Sequence, residues 1–357
     1  MKKMTICVIG AFKHGCVDYN GQTTKVRNYA AEIKARFPDA KVIELDTWRG
    51  DSTSYTSILK AVPACLKSDV VLILPGKNGL KIFLPLTSVL KKLGKYLLLY
   101  PVVGGWLPEY VQSNQNLAKH LKNVDRVYVE TNRMVEKLQA QGMTNIELAP
   151  VFTRRTAAEG QTYRVEDPIA LCTFSRVTEE KGVGTAIEAV QLQNKAAGKK
   201  KYCLNVYGQI DPAFEETLKA YESADEFGAV CCHGPLEDSE VIETLARHSA
   251  LLFPTYYPGE GFPATVQEAM IAGLPIVASD WRYNGEIVTE GYNGYLFDLS
   301  GGARALAEKI EALFASEQTA VSMHQNSLER AEHYTPKKVL APMFERIAAY
   351  CERSERA

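Results

Sequence analysis

Short apolar runs alternate with amphipathic segments of helical length along nearly the whole chain. Apolar runs of about four to eight residues are typical of buried strands, and apolar positions three or four residues apart are typical of helices packed on them. This order favours parallel sheets with helical crossovers. The first half is predicted to contain strands at residues 5–9, 41–45, 70–74, 96–103, 126–129 and 146–149, and helices at 23–36, 54–66, 83–93, 109–121 and 131–141.

The rhythm stops in a polar stretch, residues 153–167, which we interpret as a linker. We therefore expect an α/β protein with two doubly wound, Rossmann-like domains, residues 1–152 and 168–335, facing each other across a cleft. Ligands are expected where strands end and helices begin. An amphipathic helix is expected in the tail, residues 336–357, where it can pack on either domain. The second domain is predicted to contain strands at 169–173, 202–207, 229–232, 251–254 and 275–279.

Length and composition agree with two globular domains. The chain has 357 residues, about twice the size of a common single domain. Its 46% hydrophobic and 23% charged residues exclude a disordered or collagen-like chain. The eight cysteines form no C-x-x-C pair, and no apolar segment approaches the roughly 20 residues of a membrane span. We expect reduced thiols and a cytoplasmic location.

The segment 258–275, PGEGFPATVQEAMIAGLP, carries the strongest local signal. Pro263 suits the first position of a helix and Gly273 the position just past its end, which predicts a helix over residues 263–272. The free N–H groups of Ala264 and Thr265 lie at the positive end of the helix dipole and favour an anion. Because Gly261 has no side chain, a ligand can approach the backbone. The pattern predicts a phosphate site.

Two carboxylates, Glu260 and Glu268, flank this phosphate site with seven residues between them. Carboxylates accept hydrogen bonds from adjacent hydroxyl groups, so this pair can bind the two ends of a sugar nucleotide. The alternative is a solvated helix residue and a turn residue. We favour the binding role because both lie beside the glycine-rich loop.

A second polar cluster follows the predicted strand 169–173. It contains Ser175, Arg176 and Lys181, and its two cations suit a diphosphate. The alternative is a solvated loop that pairs with the neighbouring Glu179 and Glu180. No D-x-D sequence occurs in the chain, so the usual acidic anchor for a metal-chelated diphosphate is missing. We expect no metal and no other cofactor.

Four sequence stretches in the second half resemble the donor domain of retaining glycosyltransferases of family 4, which have the GT-B fold. They are SRVTEEKG, VYGQ, HGPLEDSEVIETLARHSALLFPTYYPGEGFPATVQEAMIAGLPIVASD and NGYLF, and they span residues 169–297. The resemblance implies catalytic roles for Arg176 and Lys181 at the donor diphosphate and for Glu260 at the transferred sugar. It further implies that Glu268 binds the ribose and that Leu236 flanks the base. The other donor-binding residues it implies are Ser175, Gly208, Gly261, Phe262, Pro263, Ala264 and Thr265.

The first domain resembles the same family less sharply. The stretch NGQTTKVRNYAAEI is similar to the glycine-rich loop and first helix of the family, which would place Gly21 and Gln22 near the donor phosphate or the acceptor. A plain helix N-terminus is the alternative. Many relatives have a His near a Gly-Gly pair after the fourth strand, where this chain has Val102 to Trp106. If that His stabilises the reacting sugar, a backbone group must replace it here.

The resemblance implies transfer of a sugar from a nucleotide diphosphate sugar to a saccharide acceptor, with retention at the anomeric carbon. Several stretches of the first domain look like the acceptor domains of bacterial surface-polysaccharide transferases, which implies a lipid-linked or oligosaccharide acceptor. Since a fold does not fix a function, a sugar phosphorylase or epimerase on the same scaffold remains an alternative. A non-catalytic subunit that binds sugar nucleotides is another.

Charge is distributed unevenly along the chain. Residues 1–152 contain 21 of the 41 Lys and Arg but only 12 of the 42 Asp and Glu. No acidic residue lies between Asp69 and Glu109, and an amphipathic stretch there has lysines among apolar residues, which favours contact with the anionic inner face of a membrane. The alternative is a helix packed on its sheet with lysines outside. No nucleic acid is expected, because aromatic residues are not interleaved with these cations. The lysines are Lys77, Lys81, Lys91, Lys92 and Lys95.

Overall fold

The computed structural model describes residues 3–14, 21–48, 55–93, 96–156 and 163–356. They form two compact units. Unit 1 comprises Met1–Phe152 and Thr335–Ala357, and unit 2 comprises Thr153–Tyr334. The segment interpreted as a linker is thus grouped with unit 2, and the C-terminal tail with unit 1.

Unit 1 contains a six-stranded parallel sheet with the strand order β2-β1-β3-β4-β5-β6. The predicted strands agree with the observed ones to within a few residues. The elements are β1 Thr5–Gly10, α1 Gly21–Arg36, β2 Lys41–Asp46, α2 Tyr55–Lys67, β3 Val70–Ile73, α3 Lys77–Leu93, β4 Leu97–Pro101, α4 Leu107–Ser113, α5 Gln115–Leu121, β5 Arg126–Val129, α6 Asn132–Ala140 and β6 Ile146–Leu148.

Two helices of unit 1 differ from the sequence prediction. Helix α3 begins at Lys77, six residues earlier than expected, because buried Leu80 anchors its first turn through a hydrogen bond to the Gly76 carbonyl. The single helix expected at 109–121 is interrupted at Asn114, whose φ of −137° and ψ of 78° are not helical. The Asn114 side chain donates to the Tyr110 carbonyl, a local bond that competes with the helix.

Unit 2 contains a second six-stranded parallel sheet, with the order β12-β11-β10-β7-β8-β9. The elements are β7 Ile169–Phe174, α7 Val183–Ala197, β8 Tyr202–Tyr207, α8 Glu215–Ser223, β9 Val230–Gly234, α9 Val241–Leu245, β10 Ala250–Phe253, α10 Ala264–Ile271, β11 Ile276–Ser279, α11 Asn284–Ile287, β12 Gly294–Phe297, α12 Gly302–Leu313 and α13 Glu317–Ala331.

The sequence prediction missed strand β12, which is only four residues long. Its first residue shows why it forms there. A Cβ atom at Gly294 would lie 1.9 Å from the Ile276 carbonyl oxygen, so only glycine lets this strand approach β11.

The C-terminal helix, α14 Pro336–Arg356, belongs to the hydrophobic core of unit 1. Its Leu340, Met343 and Ile347 are buried against the core that includes Ile6 and Val8 of β1. The sequence left open which domain the C-terminal helix packs on, and the structure shows that it packs in unit 1. None of the described helices combines the length and the apolar character needed to cross a bilayer.

Candidate active site

Three loops meet at the carboxyl edge of the unit 2 sheet. Strand β7 lies between β8 and β10, and all three run parallel, so the segments after them emerge side by side. The Tyr256 N–H donates to the Glu180 carbonyl at 2.8 Å, which joins the segment after β7 to the segment after β10. The two clusters that the sequence singled out therefore lie at one sheet edge.

Two glycines allow this close packing. Gly182 has a φ of +72°, and a Cβ atom there would lie 2.1 Å from the Pro254 carbonyl oxygen. Gly208, which follows β8, has a φ of +139°, and its Cβ atom would lie 1.7 Å from the Ser175 carbonyl oxygen. Any side chain at either position would push the Ser175 to Lys181 segment away from its neighbours.

The centre of the site is an ion pair between Lys181 and Glu260. The Lys181 Nζ donates to the Glu260 Oε2 at 2.7 Å, and the two side chains are 12% and 10% exposed. The Thr255 hydroxyl donates to the same oxygen at 3.0 Å, and the ammonium lies 4.9 Å from the centre of the Tyr257 ring. The structure thus places a fixed cation and a fixed carboxylate together, beside the loop that leads into α10.

Helix α10 begins at Ala264 and not at Pro263. Pro263 is the residue before the helix, with a φ of −73° and a ψ of 121°, and its carbonyl accepts the Val266 N–H at 3.1 Å. The helix has eight residues and not ten. The N–H groups of Ala264 and Thr265 have no acceptor within the helix, as expected for a first turn. Its amides remain suited to an anion.

The other residues predicted to bind the donor differ in their exposure. Gly261, Phe262 and Pro263 are buried, and the Phe262 ring packs edge-on against Tyr334 at 4.8 Å. Arg176 is exposed, while Ser175 and Leu236 are half-buried. The Ser175 hydroxyl donates to the Arg176 carbonyl at 3.0 Å.

The structure gives Glu268 a partner that the sequence interpretation missed. Arg155 donates to the carboxylate of Glu268 and, with its other terminal nitrogen, to the carboxylate of Asp238. Arg155 lies in the stretch that was interpreted as a linker. A buried Glu in α10 indicates that some cation must pair with it, but the sequence alone gives no sign of which one.

The loop after β4 in unit 1 is held by a second buried ion pair. Lys25 in α1 donates to the Glu130 Oε1 and to the Val102 carbonyl, both at 2.8 Å, and the Gly104 N–H donates to the same Glu130 oxygen at 3.2 Å. Lys25 and Glu130 are 5% and 3% exposed. The segment where relatives have a His is thus fixed by two charged residues that the sequence interpretation did not single out.

Gln22 lines a cavity of about 260 Å³ in unit 1, together with Trp48 and Lys77. The cavity lies at the carboxyl edge of the sheet, where Gly10 ends β1 and Gly76 follows β3. Gly21 begins α1, and a Cβ atom there would meet no heavy atom within 4 Å. Glycine at that position is therefore not required by close packing.

The basic stretch predicted to contact a membrane forms part of a surface on α2 and α3. These helices contact each other and contain no acidic residue. We call it the α2–α3 surface, and its exposed lysines and large apolar residues are Leu59, Lys60, Leu66, Lys67, Lys77, Lys81, Val89, Lys92 and Leu93. The leucines Leu59 and Leu93 are 74% and 73% exposed, which is unusual for large apolar side chains.

Lys91 has partners in unit 1 that the sequence interpretation did not foresee. Its ammonium donates to the Asp125 carboxylate and, at 2.5 Å, to the Tyr96 carbonyl, so it is not counted in the α2–α3 surface. A lysine near the C-terminal end of a helix reaches the start of the next strand, which explains this role. Lys95 lies outside the described residues. Within the described residues, no group of three or more His, Cys, Asp or Glu side chains is arranged to hold a metal ion.

His248 predicts how the stability of unit 2 depends on pH. Burial lowers its pKa below the ordinary value of 6.5, and the hydrogen bonds of the ring to the Thr244 and Leu245 carbonyls only partly offset this. The unfolded chain therefore takes up the proton first, so the stabilising contribution is present above pH 6.5 and is lost as the pH falls. We expect the free energy of unfolding, measured by urea titration, to decrease from pH 7 to pH 5.5. His248→Gln should flatten that dependence, and an unchanged slope would contradict the assignment.

Comparison with known proteins identifies the fold first. Over 97% of this chain and 100% of the other, the structure is similar to that of Alr3699/HepE from Anabaena, solved with UDP and glucose, with a TM-score of 0.73 and 16% identity. The two parallel six-stranded sheets and this similarity show that the chain has the GT-B fold, as the sequence predicted.

A family model matches part of the chain. Residues 155–330, just under half of the chain and most of unit 2, match the model described as glycosyl transferases group 1.

Two curated relatives are similar to part of this chain. The amylovoran biosynthesis glycosyltransferase AmsK of Erwinia amylovora is 26% identical over 52% of this chain and 46% of the relative. The N,N'-diacetylbacillosaminyl-diphospho-undecaprenol alpha-1,3-N-acetylgalactosaminyltransferase of Campylobacter jejuni is 32% identical over 27% of this chain and 25% of the relative. The chain spans about half the length, or less, of these relatives.

Proposed function

We propose that the chain is a retaining glycosyltransferase that moves a sugar from a nucleotide diphosphate sugar to a saccharide acceptor. The observation that carries this proposal is the Lys181–Glu260 pair beside the N-terminus of α10. A cation and free helix amides suit a diphosphate, and a fixed carboxylate suits sugar hydroxyls. The family match of unit 2 supports the reaction class. The Anabaena protein solved with UDP and glucose makes uridine nucleotides the first donors to test.

In the proposed reaction, negative charge develops on the leaving group. The bond between the anomeric carbon and the diphosphate oxygen breaks, and the acceptor oxygen bonds to the same face of that carbon while the acceptor hydroxyl proton passes to the departing diphosphate oxygen. Negative charge develops on the diphosphate, where Lys181, Arg176 and the first amides of α10 stabilise it. Lys181 and the first amides of α10 are fixed before the reaction, so they cost little reorganisation. We propose that no metal ion is needed.

The test is binding followed by transfer. Titration of the full chain with UDP-glucose, UDP-galactose, UDP-N-acetylglucosamine, UDP-N-acetylgalactosamine and GDP-mannose should raise the melting temperature for the true donor. At 100 times the Kd, binding stabilises the folded state by about 2.7 kcal/mol. Transfer should continue in EDTA. The anomeric configuration of the product, determined by NMR, should be the same as that of the donor. Inversion, or loss of transfer in EDTA, would refute those parts of the proposal.

The same experiment separates the alternative functions. Donor binding without transfer or hydrolysis would favour a binding subunit. Release of a sugar phosphate only in the presence of inorganic phosphate would favour a phosphorylase.

We further propose that the acceptor is lipid-linked and that the enzyme acts in surface-polysaccharide biosynthesis. The Campylobacter jejuni relative, which is named for transfer to an undecaprenol-linked sugar, supports the first part, and AmsK, which is named for amylovoran biosynthesis, supports the second. The α2–α3 surface supports contact with an anionic membrane, because it combines exposed leucines with lysines and has no carboxylate. The cavity lined by Gln22, Trp48 and Lys77 is the proposed acceptor pocket.

If the α2–α3 surface contacts a membrane, replacing Leu93 should weaken the binding of the protein to vesicles. Burying a leucine contributes about 1.5 to 3 kcal/mol, so Leu93→Asp should lower partitioning onto anionic vesicles at least tenfold in a flotation assay. Leu192→Asp is the matched control, since Leu192 is 41% exposed on α7 of unit 2. If the wild-type protein floats equally well with neutral and with anionic vesicles, the lysines do not contribute to membrane binding. If Leu93→Asp and Leu192→Asp reduce flotation equally, the α2–α3 surface is not the membrane-binding surface.

A further inference from the structure

Arg155 connects two carboxylates on different elements of unit 2. Its Nη1 donates to the Oε1 of Glu268, inside α10, and its Nη2 donates to the Oδ1 of Asp238, in the segment between β9 and α9. The Arg155 side chain is 18% exposed, compared with 8% for Glu268 and 68% for Asp238. One guanidinium thus ties a buried acid in a helix to an exposed acid in a loop.

The bond to Glu268 uses only one of its two carboxylate oxygens. Among the side chains of the described residues, none donates a hydrogen bond to the second oxygen, Oε2. A carboxylate offers about four acceptor positions, and a buried one needs a cation to be stable. Arg155 therefore supplies the cation and holds the carboxylate in one orientation, while Oε2 remains able to accept from hydroxyl groups.

The second contact of Arg155 lies close in sequence to a residue assigned to the nucleotide. Asp238 comes two residues after Leu236, which is half-buried and is expected at the base. The planar fork of an arginine can bond two carboxylates at once, whereas a lysine offers a single point charge. The Arg155 Nε is buried without an acceptor, so among the described residues the guanidinium is held by these two carboxylates. Loss of the bridge would release both elements together.

We propose that Arg155 is a positioning residue for the nucleotide part of the donor. It orients Glu268 so that Oε2 accepts the ribose hydroxyls, and through Asp238 it holds the loop that carries Leu236 beside the base. This inference rests on the proposed function. It gives a role in donor binding to the stretch that the sequence analysis interpreted as a linker. The expected consequence is that Arg155 sets the preference for a ribonucleotide over its 2′-deoxy form.

The test is a double-mutant cycle on nucleotide affinity. Isothermal titration calorimetry on the full chain first finds which of UDP, GDP and ADP binds best, and then compares that nucleotide with its 2′-deoxy form. Arg155→Ala should weaken ribonucleotide binding at least tenfold and reduce the ribo-to-deoxy preference. Arg155→Lys should give an intermediate loss. Arg304→Ala, which removes an exposed arginine of α12, should stay within twofold of wild type.

The decisive comparison is made in a Glu268→Gln background. If Arg155 acts through Glu268, adding Arg155→Ala there should leave the ribo-to-deoxy preference unchanged. It should also weaken binding less than it does in the wild-type background, because only the contact with Asp238 is still to be lost. In the Glu268→Gln background, removing Arg155 leaves no unpaired carboxylate at position 268. The effect of Arg155→Ala can therefore be measured there even if the single variant Arg155→Ala does not fold.

Three outcomes would overturn the inference. They are equal losses in both backgrounds, an unchanged ribo-to-deoxy preference, and tighter binding by Arg155→Ala, which would mean that Arg155 competes with the ribose. A wild-type protein that binds none of the three nucleotides would instead overturn the proposed function, and the inference with it.

Discussion

Replacing Lys181 with Ala is expected to lower kcat by roughly 30- to 1,000-fold, corresponding to about 2 to 4 kcal/mol of barrier. The reason is the loss of a fixed cation where the diphosphate develops charge. Lys181 is suited to this because Glu260 and the Tyr257 ring hold its ammonium in place, and Thr255 in turn donates to the Glu260 carboxylate. The measurement is turnover with the true donor at saturating concentration.

The structure also dictates the controls for Lys181→Ala. Removing Lys181 leaves the Glu260 carboxylate nearly buried without its cation, so thermal melting must show that unit 2 is still folded. Lys195→Ala is the matched charge change, because Lys195 is 74% exposed on α7, and it should leave turnover within twofold. Near-wild-type turnover in folded Lys181→Ala would refute the role of this lysine.

Gly182→Ala is expected to lower the free energy of unfolding by about 2 to 5 kcal/mol. A left-handed backbone costs a non-glycine residue about 1 to 2 kcal/mol, and overpacking adds about 1 to 3 kcal/mol. At Gly182 the overpacking is against backbone, since the new Cβ atom would lie 2.1 Å from the Pro254 carbonyl oxygen. Lys181 is the adjacent residue, so turnover should fall as well.

Helix α7 itself provides the control for this prediction. Gly182 and Gly198 flank its two ends with φ values of +72° and +63°, but a Cβ atom at Gly198 would meet nothing within 4 Å. Gly198→Ala should therefore cost only the left-handed backbone term and leave turnover unchanged. Equal losses of stability in urea unfolding of the two variants would show that the close approach to Pro254 is unimportant.

Elements defined by local periodicity were predicted well. The strands Arg126–Val129 and Tyr202–Tyr207 have the predicted bounds, because an apolar run between turn residues indicates a buried strand without reference to the rest of the chain. Strand β12 was missed because it depends on the space that Gly294 leaves beside β11, which is a property of two distant segments. The break at Asn114 was missed because its side chain competes locally with a helix that the periodicity supports.

The sequence also indicated some residues of the candidate site but not the contacts between them. Lys181, Glu260 and the start of α10 could be found from the sequence, since each lies next to a glycine or proline that marks a strand end or a helix start. The partners of these residues could not. The sequence assigned Lys181 and Glu260 separate roles, and the structure shows that they also bind each other.

The sequence by itself determined the α/β class, the order of most strands and helices, and the identity of the charged residues near the phosphate-binding helix. Periodicity and turn residues act over a few positions, so they can be read along the chain. Only the tertiary structure decided that Arg155 bridges Glu268 and Asp238, that Lys25 and Glu130 fix the loop after β4, and that α14 packs in unit 1. Such pairings depend on which cation reaches which buried carboxylate, and which apolar faces meet, after segments up to hundreds of residues apart have folded together.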